Sequence, residues 1–273
     1  MDYHKFTFET GDPELLLAFI QDLPFDSFEV EEKALQAYIP VQDDTESMRK
    51  KLGGLKERFD FNYSHIFIPY RNWNSLWESN FSPIRVKDFC GIRAEFHPPF
   101  DPLVAHEIQI QPKMAFGTGH HATTWMMIDQ MAKLDFKNKK VLDFGCGTGI
   151  LAILAEKMGA TAIDGVDIES PAIENTLEHL SLNTCTQITT YEGTLDQLVN
   201  QRYQIILANI NRNVILKSLP TLYTQLEKGG FLLISGFIQA DTNLLQKATQ
   251  QQGLVVREIQ TREKWICMLL NKN

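Results

Sequence analysis

The first seventy positions of the chain alternate between strand-like and helix-like hydrophobic patterns. Phe6 and Phe8 fall on one side of an expected strand over 3–9, and hydrophobic residues then recur at helical spacing from Pro13 until Pro24 stops the run. Further elements are predicted in the order strand (25–30), strand (34–39), charged helix (45–59) and strand (65–70). The predicted order of elements is therefore βαββαβ.

That order is the split βαβ arrangement of a small ferredoxin-like α+β domain, to which we assign residues 1–71. Such a fold names no ligand by itself. A linker helix is expected over 72–85, because large hydrophobic residues at 73, 76, 77 and 81 lie at about helical spacing. The simplest role of that hydrophobic stripe is packing between two domains.

The third predicted region, residues 86–273, is a longer α/β domain. Strands near 92–96 and 107–110 precede a helix over 121–134, and strand–helix units then recur between Val141 and Ser235. Repeated units of this kind predict a doubly wound parallel sheet with right-handed crossovers. Two final strands, 254–259 and 264–270, are separated by only a short turn and predict an antiparallel edge.

Composition and charge narrow the function classes. The chain has 273 residues, 44% of them hydrophobic and 22% charged, which is typical of a globular protein of one or two domains. A net charge of −8 argues against a protein that grips duplex nucleic acid mainly through phosphates. Four scattered cysteines, and the lack of a leader-like or membrane-length apolar run, lead us to expect a soluble, cytoplasmic protein. We also expect a monomer.

The most specific motif is DFGCGTG at 143–149, placed between an apolar strand and an apolar helix. Glycines at alternating positions allow a tight turn and a close approach to a ligand, and the following helix presents unpaired amide groups. The NAD fingerprint GxGxxG fails, because Ile150 stands where its third glycine belongs. With Asp143 two residues before Gly145, the motif resembles the first motif of S-adenosylmethionine-dependent methyltransferases. A plain glycine turn in an unrelated α/β protein is the alternative.

A second acidic residue supports a nucleoside ligand. Asp167 ends the next predicted strand, 22 positions after Gly145. In doubly wound nucleotide-binding folds, an acid about 20 residues on accepts hydrogen bonds from ribose hydroxyls. An exposed strand-end aspartate of no function would look similar, so the prediction depends on the glycine motif beside it.

The third candidate is Asn209, in the run Ala208-Asn209-Ile210 at the end of the predicted fourth strand. An amide at that edge of a sheet can orient an incoming nucleophile. The run is similar to the asparagine-led motif of amine-directed methyltransferases, although the usual Pro-Pro-aromatic continuation is absent. A helix-capping or turn asparagine is the alternative.

The motif FGTGHHATT at 116–124 joins these features into a family resemblance. Together with the glycine motif, Asp167, Asn209 and the βαββαβ unit, it resembles the PrmA family, the methyltransferases of ribosomal protein L11. The resemblance covers nearly the whole chain. It implies a seven-stranded Rossmann-like methyltransferase domain behind the ferredoxin-like one, S-adenosylmethionine as cofactor, and methylation of lysine side-chain and N-terminal amines of that ribosomal protein. No membrane or direct nucleic-acid partner is expected.

The resemblance also implies which residues meet the cofactor. Those that match the family's contacts, its covering loop and its glycine motif are Thr124, Gly145, Asp167, Asn209, Phe116, Gly117, Thr118, Gly119, Asp143 and Gly147. Asn209 is the candidate catalytic residue. His120 and His121 invite a metal site, but adjacent histidines point in different directions and no carboxylate spacing supports one, so we predict no metal.

Departures from the family pattern leave the adenine contacts open. The run Glu192-Gly193-Thr194 lacks the usual acid after glycine that could meet the adenine amino group. Two rival functions also remain at this point, a nucleic-acid base methyltransferase with the same catalytic domain and a noncatalytic module that only binds the cofactor.

Overall fold

The structure, a computed structural model, describes residues 2–31, 33–56, 58–69, 81–112 and 119–273. The chain divides into two compact units, Met1–Trp73 and Asn74–Asn273. Each is described by itself below. Among the described residues, no helix combines the length and the apolar run that crossing a bilayer requires. The finer predicted boundaries, 1–71, 72–85 and 86–273, stay predictions.

The first unit is an antiparallel sheet covered on one face by two helices. Its elements are β1 (Tyr3–Thr10), α1 (Pro13–Ile20), β2 (Ser27–Val30), β3 (Ala34–Pro40), α2 (Glu46–Lys56) and β4 (Phe61–Ile68). The strand order is β2-β3-β1-β4, with antiparallel neighbours throughout. Alternate residues of β1 and β3 pack against the helices, with Phe6 and Phe8 fully buried. The predicted order of elements is confirmed over these residues.

One strand of this unit was placed wrongly from the sequence. The last strand begins at Phe61, four positions before the predicted start at His65. It pairs with β1 along its whole length, from Thr10↔Phe61 to Tyr3↔Ile68. Pairing across the sheet therefore sets its length, and a local hydrophobic pattern does not contain that information.

The second unit opens with a small three-stranded sheet and a helix. Its strands are β5 (Ile84–Val86), β6 (Cys90–Ala94) and β7 (His106–Ile110), followed by α3 (Ala122–Met131). The expected linker helix over 72–85 is wrong at its end, because Ile84 and Arg85 lie in β5 and pair with β6. Buried side chains alternate with a half-buried one along β5, as strand geometry requires. Residues 72–80 of that expected helix lie outside the described residues.

A seven-stranded sheet forms the body of the second unit. Its elements are β8 (Lys140–Phe144), α4 (Ile150–Lys157), β9 (Ala162–Asp167), α5 (Ser170–Leu182), β10 (Ile188–Glu192), β11 (Tyr203–Asn209), α6 (Arg212–Gln225), β12 (Leu226–Ile238), α7 (Thr242–Gln251), β13 (Leu254–Arg262) and β14 (Trp265–Lys272). The strand order is β10-β9-β8-β11-β12-β14-β13. The first five of these strands are mutually parallel, and β14 runs antiparallel to both of its neighbours. The predicted doubly wound sheet with an antiparallel edge is confirmed.

The central strands of the sheet are buried on both faces, as their apolar sequences predict. In β11, Ile205 and Leu207 pack into the hydrophobic core that also contains residues of α3 and α4, while Ile206 and Ala208 pack into the core that contains residues of α6 and α7. The chain moves outward from β8 to β9 and β10, then returns to β11 on the other side of β8. Ligands of open α/β sheets bind at such a switch point, beyond the carboxyl ends of the strands.

Candidate functional site

The glycine motif forms the turn between β8 and α4 at this switch point. Gly145, Gly147 and Gly149 all have φ in the left-handed region, at 73°, 56° and 74°. A Cβ on Gly145 would stand 2.1 Å from Cγ2 of Ile210. The glycine at this position therefore leaves room for a side chain of the neighbouring strand end, in addition to allowing the turn.

A small cleft opens beside this turn and gathers residues that are far apart in the sequence. It is lined by Thr124, Gly145, Cys146, Gly147, Thr148, Ile150, Leu151 and Asn209. The structure thus brings together four of the predicted site residues. The other four were not predicted, although Cys146 and Thr148 stand between the glycines of the motif and could have been included on that ground.

Asn209 lies at the end of β11 with its two amide atoms in different situations. Its Nδ2 donates to Oγ1 of Thr124 over 3.2 Å. Its Oδ1 is buried and accepts no hydrogen bond within the described residues. The capping alternative is wrong, because Asn211 is the residue whose side chain caps α6, by accepting from the amide of Val214. A buried acceptor without a partner costs about 1–3 kcal/mol, which points to a ligand that donates to it.

Asp167 ends β9 with its carboxylate fixed by two backbone amides. Oδ2 accepts from the amide of Gly147 over 2.9 Å, and Oδ1 accepts from the amide of Glu169 over 3.1 Å. The side chain is half-buried, so both oxygens keep further acceptor capacity. It is thereby oriented before any ligand binds.

Asp143 has a different environment from Asp167. It is 1% exposed, and its Oδ2 accepts from the amide of Ala152 over 3.1 Å. That amide lies in the first turn of α4, whose capping residue, Gly149, has no side chain to offer. Burial, with the nearby charge of Asp167, raises the pKa of the Asp143 carboxyl to about 7. Its proposed contact with the cofactor stays a prediction.

Replacing Asp143 with Asn should change how stability depends on pH. The pKa of about 7 in the folded protein exceeds the unfolded value of about 3.9. Because the folded state then binds the proton more tightly, the free energy of unfolding falls as pH rises from about 4 to about 7. Asn keeps an acceptor for Ala152 without the charge. Between pH 5 and pH 8, we expect the free energy of unfolding of Asp143→Asn to rise by on the order of 2 kcal/mol relative to that of the parent.

Urea unfolding of the cofactor-free protein at several pH values would measure this difference. The matched control is Asp196→Asn, at an exposed position outside the glycine motif. Its stability should follow that of the parent across the pH range. Parallel curves for Asp143→Asn and the parent would contradict the assignment of a raised pKa to this carboxyl.

The predicted loop at 116–119 is only partly described. Phe116, Gly117 and Thr118 lie outside the described residues. Gly119 is buried with φ of 97°, and a Cβ there would stand 2.6 Å from Cδ1 of Ile92 in β6. This close approach and the left-handed backbone together explain the glycine at this position.

The adjacent histidines contact different aromatic partners. The ring of His120 meets Phe81 at 4.7 Å between centroids, and the ring of His121 meets Trp265 at 4.5 Å. His121 also caps α3, by accepting from the amide of Thr123. Within the part of the chain that the structure describes, no cluster of three or more potential metal ligands occurs.

The cleft fits a cofactor that carries a ribose and an amino-acid group. The oriented carboxylate of Asp167 suits a pair of vicinal hydroxyls. The three glycines with left-handed φ angles have no side chains that would keep a ligand away from their backbone. The unpaired Oδ1 of Asn209 leaves one more acceptor in the cleft, and Thr124 contributes a hydroxyl beside it. These features agree with S-adenosylmethionine, whose ribose and methionine parts need such groups.

Comparison with known proteins decides the family. A family model described as Ribosomal protein L11 methyltransferase (PrmA) matches residues 19–273. The chain belongs to the PrmA family. This membership confirms the resemblance drawn from the motifs, and with it a methyltransferase that uses S-adenosylmethionine.

Relatives and solved structures agree with the PrmA assignment. A ribosomal protein L11 methyltransferase of Porphyromonas gingivalis is 41% identical over 271 residues, which cover 97% of this chain and 92% of that protein. One of Bacteroides fragilis is 32% identical over 274 residues, or 97% of this chain and 98% of that protein. A crystal structure of the ribosomal protein L11 methylase from Lactobacillus delbrueckii subsp. bulgaricus matches with a TM-score of 0.64 at 25% identity, over 71% of this chain and 100% of that one.

Proposed function

We propose that this protein transfers methyl groups from S-adenosylmethionine to lysine side-chain and N-terminal amines of ribosomal protein L11. The observation that carries the proposal is the buried, unpaired Oδ1 of Asn209 beside the glycine turn. An amine has N–H groups to donate to such an acceptor, and its lone pair is then directed away from the donated hydrogen. The PrmA relatives are named for that ribosomal protein.

In this proposal the cofactor is held along the carboxyl edge of the sheet. Asp167 accepts from the ribose hydroxyls, while the turn at Gly145 and Gly147 lies against the cofactor without intervening side chains. Thr124 and Asn209 bind its methionine end. When bound, the cofactor supplies an electrophilic methyl group on a sulfonium.

The residues of the cleft orient the amine and keep water away from it. A lysine amine has a pKa of about 10.4 and must lose a proton before it can react. Among the described residues that line the cleft there is no carboxylate and no histidine, and burial raises the pKa of the Cys146 thiol, so that it stays protonated. We therefore infer that desolvation favours the neutral amine, that its proton passes to water, and that Asn209 positions the lone pair.

We further infer that the first unit is a ferredoxin-like domain that recognises the protein substrate. On the sheet face opposite its helices, Lys5 of β1 pairs between Tyr38 of β3 and Ile66 of β4. Ile66 is 60% exposed, and the ammonium of Lys5 lies 5.7 Å from the centre of the Tyr38 ring. Ile66, Tyr38 and Lys5 therefore form a row of apolar, aromatic and basic side chains, which suits contact with the surface of a folded protein.

Two rival functions predict different results. A nucleic-acid base methyltransferase would label RNA or DNA, which the net charge of −8 disfavours. A noncatalytic module would bind the cofactor and label nothing. Both can be tested in the same experiment.

That experiment gives the purified protein radiolabelled S-adenosylmethionine and ribosomes from cells lacking this activity. We expect label on ribosomal protein L11, with mass spectrometry locating it on lysine and N-terminal amines. Ile66→Asp should reduce the labelling rate several-fold while cofactor affinity stays unchanged, whereas the control Leu244→Asp, at an exposed hydrophobic position of α7, should do neither. Label on RNA, or none despite cofactor binding, would refute the proposed substrate.

A further inference from the structure

Two buried side chains on one face of α5 contact the glycine turn between β8 and α4. Thr176 and His179 are three positions apart, which places them on the same side of the helix. Their exposed fractions are 0% and 1%. Neither residue lines the cleft, and the reaction described above uses neither.

Both side chains meet backbone carbonyls of the turn. Oγ1 of Thr176 donates to the carbonyl of Gly147 over 2.7 Å. Nδ1 of His179 lies 2.8 Å from the carbonyl of Thr148, and Nε2 lies 3.3 Å from the carbonyl of Gln111. A ring nitrogen that carries a hydrogen can donate to a carbonyl, and a carbonyl can only accept. We assign the hydrogen to Nδ1, because that contact is the shorter one.

The same short segment is also held from other directions. A Cβ on Gly149 would stand 2.8 Å from Cγ2 of Thr176, so the turn packs directly on this helix. On its other side, the amide of Gly147 donates to Asp167 over 2.9 Å. Each of the three consecutive peptide groups from Cys146 to Gly149 therefore has a fixed partner before a ligand binds.

We propose that Thr176 and His179 are positioning residues for the cofactor, acting as a clamp on the carbonyls of Gly147 and Thr148. The proposal rests on the cofactor role of this turn given under the proposed function. A turn with three glycines in left-handed conformations has more freedom to lose than other segments. Holding it in the binding geometry beforehand lowers the entropy lost when the cofactor binds.

The test measures cofactor affinity and backbone protection in full-length variants. Thr176→Val and His179→Leu each remove one donor with little change of volume, and each should raise the Kd of S-adenosylmethionine about five- to tenfold. His179→Asn places an amide donor near the position of Nδ1 and should restore most of the affinity. His179→Gln, which places it near Nε2, should not.

Hydrogen exchange of the ligand-free protein gives a second measurement that does not depend on the cofactor. We expect faster exchange at amides 145–152 in Thr176→Val and His179→Leu, and near-parental exchange in His179→Asn. The matched control is Thr249→Val, because Thr249 is also fully buried and donates within its own helix to the carbonyl of Leu245. That control should lower stability and leave both Kd and exchange at 145–152 unchanged.

Each result counts for or against the clamp. Parental Kd and exchange in Thr176→Val and His179→Leu would overturn it, as would equal losses in Thr249→Val, which would reduce the effect to general stability. Recovery with Gln instead of Asn would overturn the assignment of the hydrogen to Nδ1. If the parent protein binds no S-adenosylmethionine, the proposed function fails, and the exchange data still decide whether the clamp exists.

Discussion

Asn209→Ala should lower kcat for methyl transfer by about 100-fold or more. The amide of Asn209 is held by Thr124, and its buried Oδ1, which has no partner among the described residues, is the acceptor that we propose for the substrate amine. Without it, the amine can enter the cleft but its lone pair is no longer directed at the methyl group, and misplacement by about 1 Å can cost about 100-fold in rate. Because Asn209 also lines the cofactor cleft, we expect a smaller rise in cofactor Kd, up to about tenfold.

Single-turnover methylation with saturating cofactor separates these two effects. The control is Asn213→Ala, the same substitution at an exposed position four residues further along the chain. It should keep the parental rate and affinity. An Asn209→Ala protein with a parental single-turnover rate would remove Asn209 from the mechanism.

Asp167→Ala should weaken cofactor binding by about 100-fold or more. Two hydrogen bonds from ribose hydroxyls to a carboxylate contribute about 1.5–3 kcal/mol each when one partner is charged. Loss of the carboxylate also frees the amide of Gly147 that it now fixes. Asp167→Asn, which keeps one acceptor and the side-chain shape, should fall between the parent and the Ala variant.

Calorimetric titration with S-adenosylmethionine and with its demethylated product would measure this loss. Glu169→Ala is the matched control, since Glu169 is an exposed carboxylate two residues beyond Asp167 on the same edge of the sheet. Its removal tests whether general negative charge at that edge is sufficient to bind the cofactor. Equal losses in both variants would contradict a specific role for Asp167.

The parts of the fold that could be predicted are those with local signals. The central strands of the large sheet are buried on both faces and read as apolar runs, and the glycine motif marks the turn after β8. β5 was missed, since three residues give too short a pattern, and it was absorbed into an expected helix. The start of β4 depended on its pairing with β1, which no local window contains.

The residues of the candidate site also differ in whether the sequence contains a signal for them. Asp167 and Asn209 stand at strand ends, where the topology of the sheet alone brings them to one edge. Thr124 came only from the family resemblance, because nothing in its helix shows that it meets a residue 85 positions away. Thr176 and His179 were missed for a related reason, since their positions inside a helix reveal nothing about the turn they contact.

The place of β14 in the sheet has a consequence for biosynthesis. This strand follows every other strand of the sheet in the sequence, yet it lies between β12 and β13, and six of its eight side chains are buried. Until it leaves the ribosome, β12 presents an unpaired edge and β13 has no neighbour on which to pair. The sheet can therefore be completed only after the strand that is synthesised last has been inserted between two strands that precede it. Until that insertion, the open edge of β12 is a place where another chain could pair.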